Sequence, residues 1–564
     1  MILKKSRLLI SALLIGILAG VLCSTSWASE PSEEWVGKIV SVQGSVQVLR
    51  IGTTHWAPVR LNDTYRIGDM IRVQQHSRAA VVLCNGATLR LDQNSTITFS
   101  SLEKKETLLI RLLKGAAHFF SRIPRSLKLA TPFVNGGVEG TEFYVRIDQD
   151  QTFLSIFEGK VLAENEAGSL VLSSGQSAVA EKGKAPELRV VVSPRDAVRW
   201  ALYYPPVIYA PPEQAPAEED TENPRFLADR ASWLLSVGRV DEAKANIENA
   251  LKLDPKYTDA VALQSIIAVV QNQKQEALDL AEEAVNIDPK SATARIALSY
   301  AQQAGFDLNG ARASLEEAVE LDPENALAWA RLAELRSSFG DLDKALDAAQ
   351  KAVALNPALS RTQTVLGFAY LTQIETKESK KAFEKAIELD QASSLPRLGL
   401  GLAKIRDGDL ENGGEEIEIA ASLDPNNSLI RSYLGKVYFE RKRTNLDERE
   451  YAVAKELDPK DPTPWFYDAI RKQTVNRPVE ALQDLQKSIV LNDNRAVYRS
   501  SLLLDQDLAA RSASLARIYN NLGFDQLALV EGWKSANTDP GNYSAHRFLA
   551  DSYSVLPRHE IARV

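Results

Sequence analysis

Hydrophobic positions follow one rhythm in the first third of the chain and another in the rest. From residue 36 to about 190 the rhythm is that of strands. Val40, Val42, Val46 and Val48 alternate or nearly alternate with polar residues, and Asn85-Gly86 separates an apolar run from Thr88-Leu89-Arg90-Leu91, a tight-hairpin pattern. Further β-type runs at Thr96–Phe99, Phe143–Ile147 and Phe153–Phe157 are divided by Gly, Asn and Asp clusters. That spacing leaves no room for long helices and predicts a mostly β domain.

Beyond Pro224 the rhythm is helical and it repeats. Pro255, Pro289, Pro323 and Pro357 are spaced by 34 residues, as are Pro425 and Pro459, with Gln391 and Asp493 where the remaining prolines would fall. Ala250, Ala284, Ala318, Ala352, Ala386, Ala420 and Ala454 keep the same spacing, and so does an apolar column from Leu253 through Leu423 to Leu491. The pattern resembles the tetratricopeptide repeat, which implies one helical hairpin per unit and an α-helical solenoid. Eight units run from 224 to 495. The alanine column marks where helices approach too closely for larger side chains, and Gly238, Gly340, Gly367, Gly401, Gly408 and Gly435 are expected at turns and tight contacts. Residues 496 to about 508 break the phase by thirteen, a further unit closes at Thr538-Asp539-Pro540, and another begins at Tyr543. No polar capping helix precedes Val564, so a further domain or a partner is expected to cover that end, unless the sequence is truncated.

The β region carries Gly68-Asp69-Met70-Ile71-Arg72-Val73, Asn85-Gly86-Ala87-Thr88-Leu89-Arg90-Leu91, Gly137-Val138-Glu139-Gly140-Thr141-Glu142-Phe143, Glu158-Gly159-Lys160-Val161 and Ser174-Gly175-Gln176 in order. Together these resemble FecR-like periplasmic domains, over about 36–190. Family members resemble sensors that signal to a cytoplasmic sigma factor, a task that needs a cytosolic segment and a membrane helix ahead of the domain. Here a signal peptide comes first, so only the fold and the location carry over. Gly136, Gly137 and Gly140 are expected at turns, because no Lys-Ser/Thr follows them as in a phosphate loop. Lys104, Lys105, Arg111, Lys114, Arg122, Arg125 and Lys128 read as a solvated strand face, or as a contact for an anionic envelope glycan or lipid.

Lys4, Lys5 and Arg7 precede an apolar run from Leu8 to Leu22 that ends in Ser26-Trp27-Ala28, the form of a signal peptide over residues 1–28. The expected location is therefore the periplasm, free or associated with the outer membrane, with no membrane helix retained. Cys84 would be the one remaining thiol and is expected to be buried in the run Ala79–Cys84. Residues 191–223 hold a short helix, with Trp200 and Leu202 expected to dock it on the β domain, and then a proline-rich linker expected to be extended and solvated. The fold class is thus α+β multidomain: an all-β FecR-like domain, a linker and a solenoid.

The net charge of −8 argues against a nucleic-acid partner. It is unevenly spread, with +3 over residues 29–203 and −14 over 204–564. In tetratricopeptide folds the second, fifth, ninth and twelfth positions of each first helix face the concave side. Those positions give Ile296 and Tyr300 in unit three, and Phe368 and Leu371 in unit five. Unit six gives Leu395, Leu398, Leu402 and Ile405, unit seven Leu429 and Phe439, and unit eight Phe466 and Ile470. Cations there are few and scattered, which disfavours a carboxylate clamp and favours a protein or peptide partner with an apolar side. The five histidines have no metal spacing, and no nucleophile motif occurs. The expectation is a non-enzymatic scaffold without cofactor or metal. A periplasmic sensor of a transport or stress system and a glycan- or envelope-binding adaptor are the alternatives.

Overall fold

The computed structural model describes residues 35–103, 107–122, 124–191, 194–209, 222–443, 445–494, 497 and 504–554. The expected signal peptide, Lys104, Lys105, the side chain of Arg125 and the linker from residue 210 to 221 lie outside them.

Fifteen strands among the described residues form one sheet: β1 (Gly37–Gln43), β2 (Val46–Leu49), β3 (Ala57–Pro58), β4 (Thr64–Tyr65), β5 (Met70–Val73), β6 (Arg78–Leu83), β7 (Thr88–Leu91), β8 (Thr96–Glu103), β9 (Thr107–Phe120), β10 (Pro124–Ala130), β11 (Asn135–Ile147), β12 (Gln151–Asn165), β13 (Gly168–Ser173), β14 (Ser177–Glu181) and β15 (Glu187–Arg189). Its path is β15-β14-β12-β11-β10-β9-β7-β6-β1-β4, with β13, β2, β3, β5 and β8 paired off it. Its spine is β9 (Thr107–Phe120), β11 (Asn135–Ile147) and β12 (Gln151–Asn165). Strand β9 alternates between buried and less buried residues over its first half and is then almost wholly buried from Ala116 to Phe120. Period two is what one covered face produces; burial of both faces means that something packs on the outer side as well. Phe119 turns inward and stacks on Phe143, its register partner, with ring centroids 4.7 Å apart. Phe120 faces the opposite way, into the helices.

Two expectations fail in this domain. Gly136, Gly137 and Gly140 lie inside β11 rather than at turns. Cys84 is exposed, because the buried strand β6 (Arg78–Leu83) ends just before it and Cys84 already belongs to the turn that leads to Gly86.

Among the described residues sixteen helices between Pro224 and Val490 pair into eight hairpins, followed after the phase break by Leu504–Asn521, Asp525–Thr538 and Tyr543–Ser554. The second helix of units one to seven ends in the same way. The amide of the residue before the proline column (Asp254, Asp288, Asp322, Asn356, Asp390, Asp424, Asp458) donates to the carbonyl of the alanine column. That residue is extended, as a position before proline prefers, and Asp390 keeps the conformation although Gln391 follows it. All seven column alanines are fully buried. Between the two helices of each hairpin one residue takes positive φ, again every 34 residues: Gly238, Asn272, Phe306, Gly340, Ile374, Gly408, Lys442 and Asn476. Gly367, Gly401 and Gly435 serve close contacts instead. A Cβ on Gly435 would come within 2.6 Å of the Tyr451 ring.

The β domain is docked on the solenoid. Val40, Ala80 and Val82 pack on Ile419 and Leu423. In the helix-end column Leu253, Leu321 and Leu355 are exposed, whereas Leu423 is fully buried under this contact. Phe120 joins the cluster of Leu398, Ile430 and Leu434. The backbone amide of Val42 donates to Gln391 Oε1 at 2.9 Å, and Arg397 Nη2 donates to the Val40 carbonyl at 2.8 Å. At the other end Arg239 pairs with Asp92, and His76 lies 3.0 Å from Glu242.

The segment between the domains is the bridge. Pro194–Ala201 is a 3₁₀ helix whose Trp200 packs on Tyr144 and Phe157 of the sheet. Leu202 turns the other way and joins Tyr204, Val207 and Ile208 in the solenoid core. The linker is therefore not solvated from its start: Tyr204 and Val207 are buried against Leu227, Leu235 and Leu263.

Candidate partner-binding cavity

The strongest electrostatic feature is the buried seam between the domains. Arg431, from helix Ser428–Glu440 of unit seven, donates from Nη2 to both carboxylate oxygens of Glu142 of β11, at 2.7 and 2.8 Å, with neither side chain exposed. Arg431 also reaches Glu450 at 3.1 Å, and Arg122 joins Glu450 to Glu158. His118 Nε2 lies 3.2 Å from Glu142. Burial alone would raise the Glu142 carboxyl, but Arg431, His118 and Arg195 hold it well below the usual carboxylate range. Burial pushes His118 down, which favours the neutral ring despite Glu142. Arg122, read from sequence as part of a solvated face, is thus a buried interdomain residue, while Arg111, Lys114 and Lys128 are exposed. Nothing in the local sequence marks this seam, since its partners stand some 300 positions apart.

The concave side of the solenoid is divided. The linker occupies the end formed by the first units: Ser232 Oγ donates to the Ile208 carbonyl, and Tyr203, Tyr204, Pro206 and Ile208 share the wall of a 110 Å³ cavity with Ser232, Leu235 and Arg361. Units three to seven, with Val497, line a larger, open cavity of 660 Å³. The superhelix comes round on itself beside it, because Gln303 Nε2 donates to the Val497 carbonyl at 2.8 Å, and Lys274 and Lys460 both lie over the Phe306 ring.

Seven of the concave positions read from sequence, Phe368, Leu371, Leu395, Leu398, Leu402, Ile405 and Leu429, stand together on the wall of this cavity. The others stand elsewhere. Ile296 is fully buried in the core of the first units. Tyr300 carries the Arg331 guanidinium 3.8 Å above its ring. Phe466 packs against Ala469, Leu485 and Leu515 and lies under Arg511. Phe439 and Ile470 are half-buried away from the wall. The register of first-helix positions shows which side chains point inward. It does not show which of them the chain itself then covers.

Of the cations at the polar end of the cavity, the concave register gives Arg361, the second residue of its helix, but neither Arg331 nor Arg406. Arg331 and Arg361 converge on Glu334, Arg331 through a 3.0 Å bond from Nη1, and Arg331 also bonds Gln303. Burial alone would lower Arg361, but Glu334, Tyr300 and Tyr203 hold it above its ordinary value, so the guanidinium stays charged. Arg331 and Arg406 fall outside the four concave positions, at the sixth and thirteenth residues of their helices. A signal was present in the i,i+3 spacing of Arg331 and Glu334 on one helix and in Arg361 at an inward position of the next unit.

Among the described residues no group of His, Cys, Asp and Glu could hold a metal ion, and no helix is long and apolar enough to cross a membrane.

Comparison with known families fits this geometry. The family described as FecR protein matches residues 69–162, and three described as tetratricopeptide repeat match residues 229–292, 314–347 and 360–393. The chain thus carries a FecR domain followed by tetratricopeptide repeats. Among solved structures it is similar to the APC/C hetero-tetramer Cut9–Hcn1, at 17% identity over 60% of this chain and 64% of that one, with a TM-score of 0.49. The chain therefore spans just under two thirds of that relative's length. A thermophilic TPR protein of Thermus thermophilus is 21% identical over 32% of this chain and 99% of its own, with a TM-score of 0.29. A putative anti-sigma factor of Parabacteroides distasonis is 17% identical over 27% and 72%, with a TM-score of 0.22. No curated protein matches the chain.

Proposed function

We propose that this chain is a non-enzymatic scaffold of the cell envelope, which holds a protein or peptide partner in the concave cavity of its solenoid while the FecR domain frames the site and serves as a second interaction module. One observation carries the reading: a 660 Å³ cavity lined by Phe368, Leu371, Leu395, Leu398, Leu402 and Leu429 lies in a solenoid whose first units are already filled by the linker. Apolar surface left uncovered inside an otherwise packed trough is a site for another apolar group. Tetratricopeptide repeats support a protein occupant, and the FecR domain supports a regulatory setting and an envelope location, in line with the signal-peptide pattern of residues 1–28. The exposed cations Arg111, Lys114 and Lys128 are a weaker basis for a glycan or lipid contact.

The test is retention of partners by the full chain from cross-linked envelope fractions. Leu402→Asp, on the cavity wall, is expected to lose at least one retained protein that Val479→Asp, on an exposed helix start, keeps. Identical protein sets for wild type and Leu402→Asp would contradict the assignment.

A further inference from the structure

The wall of the 660 Å³ cavity carries a charge opposite to that of the solenoid around it. Its charged residues are Arg331, Arg361 and Arg406 against Glu334 alone, while residues 204–564 carry a net −14. The single carboxylate is shared by two of the three cations, since Arg331 and Arg361 both pair with Glu334. Both guanidiniums are largely buried, so solvent screens them poorly and the excess charge is felt inside the cavity. Gln303, Ser337, Ser338 and Thr372 line the wall as well and add hydrogen-bonding groups to it. Leu395, Leu402 and Leu429 bring a side with no charge at all.

An occupant that is apolar throughout would leave these largely buried cations without a further counter-charge, and one carrying a cation would add to the excess. We infer that the segment bound here is an apolar peptide stretch with one acidic side chain, which lies against Arg361 and Arg331 while its apolar side covers Leu402 and Leu429. This rests on the cavity being the partner site, and it adds the chemistry that selects the partner.

Fluorescein-labelled peptides of Leu and Ala, identical but for one central Glu, Gln or Lys, are titrated with the full chain by fluorescence anisotropy at low and high salt. The Glu peptide is expected to bind roughly tenfold more tightly than the Gln peptide and the Lys peptide more weakly than either, with the differences shrinking as salt screens the pair. Arg361→Gln is expected to remove the difference between the Glu and Gln peptides. Glu334→Gln, which deletes the competing carboxylate, increases the preference and serves where Arg361→Gln does not fold. Equal affinities for the three peptides, all abolished by Leu402→Asp, overturn the acidic requirement and leave the cavity as the partner site. Binding of no peptide, or binding indifferent to Leu402→Asp, overturns both. Binding of dodecanoate at Leu402 without any of the peptides replaces the peptide by a small anionic amphiphile and also overturns the inference.

Discussion

Ile374 holds φ at 68° in a turn where three other units place glycine and two place asparagine. Left-handed backbone costs a residue with a Cβ about 1–2 kcal/mol, and branching at Cβ makes Ile a poor choice. Its side chain is 66% exposed and offsets little of that strain by burial. Ile374→Gly gives back part of the gain through the unfolded chain's added freedom, so a net stabilisation of about 0.5–1 kcal/mol in chemical denaturation is expected; a loss of stability would contradict the strain. The same scale shows what the sequence reveals. A column of alanines at a fixed period marks close helix contacts, because only geometry repeated in every unit selects small residues at that spacing, and all seven are buried. Cys84 and Gly136 were misread for the opposite reason. Each is a single position whose surroundings depend on where one strand stops or how far another extends.

At the scale of elements, strands and helices follow the hydrophobic rhythm closely, whereas the contact between β11 and the helix Ser428–Glu440 has no periodic signal. Its cause is a handful of charged residues that are sensible only in the folded whole. Breaking one partner of a buried pair strands the other, at a cost of about 3–5 kcal/mol. Glu142→Ala is therefore expected to lose about that much stability in the β domain's attachment, seen as faster proteolysis in the linker between residues 205 and 223. Acid should act in the same direction. His118 and Glu142 are both held below their ordinary values of 6.5 and 4.5. Their stabilisation is present in full above those values and is lost as pH falls through the folded ones. Burial raises the Glu450 carboxyl despite Arg122 and Arg431, so its contribution runs in the opposite sense. The loss carried by Glu142 is accordingly expected below pH 4.5, and Glu142→Gln should abolish that part of the pH dependence of thermal unfolding. An unchanged acid limb in the variant would show that the seam contributes nothing to it.

For the whole molecule, the docked β domain and the linker residues up to Tyr209 decide which part of the concave surface stays uncovered. The two hydrophobic rhythms reveal a β-rich fold followed by a helical solenoid. They do not reveal that Tyr204 and Val207 enter the solenoid, because a proline-rich linker has the same composition whether it is threaded or free. The cavity reads as apolar from sequence because Arg331 and Arg406 lie outside the usual inward positions. The most direct measurement is photo-crosslinking in living cells from an unnatural residue placed at Leu402 and, separately, at Ser232. The expected result is adducts with a second polypeptide from position 402, and from position 232 adducts only with the chain's own linker near Ile208. Intramolecular adducts alone from position 402 would mean that the chain fills its own cavity, and would contradict the account.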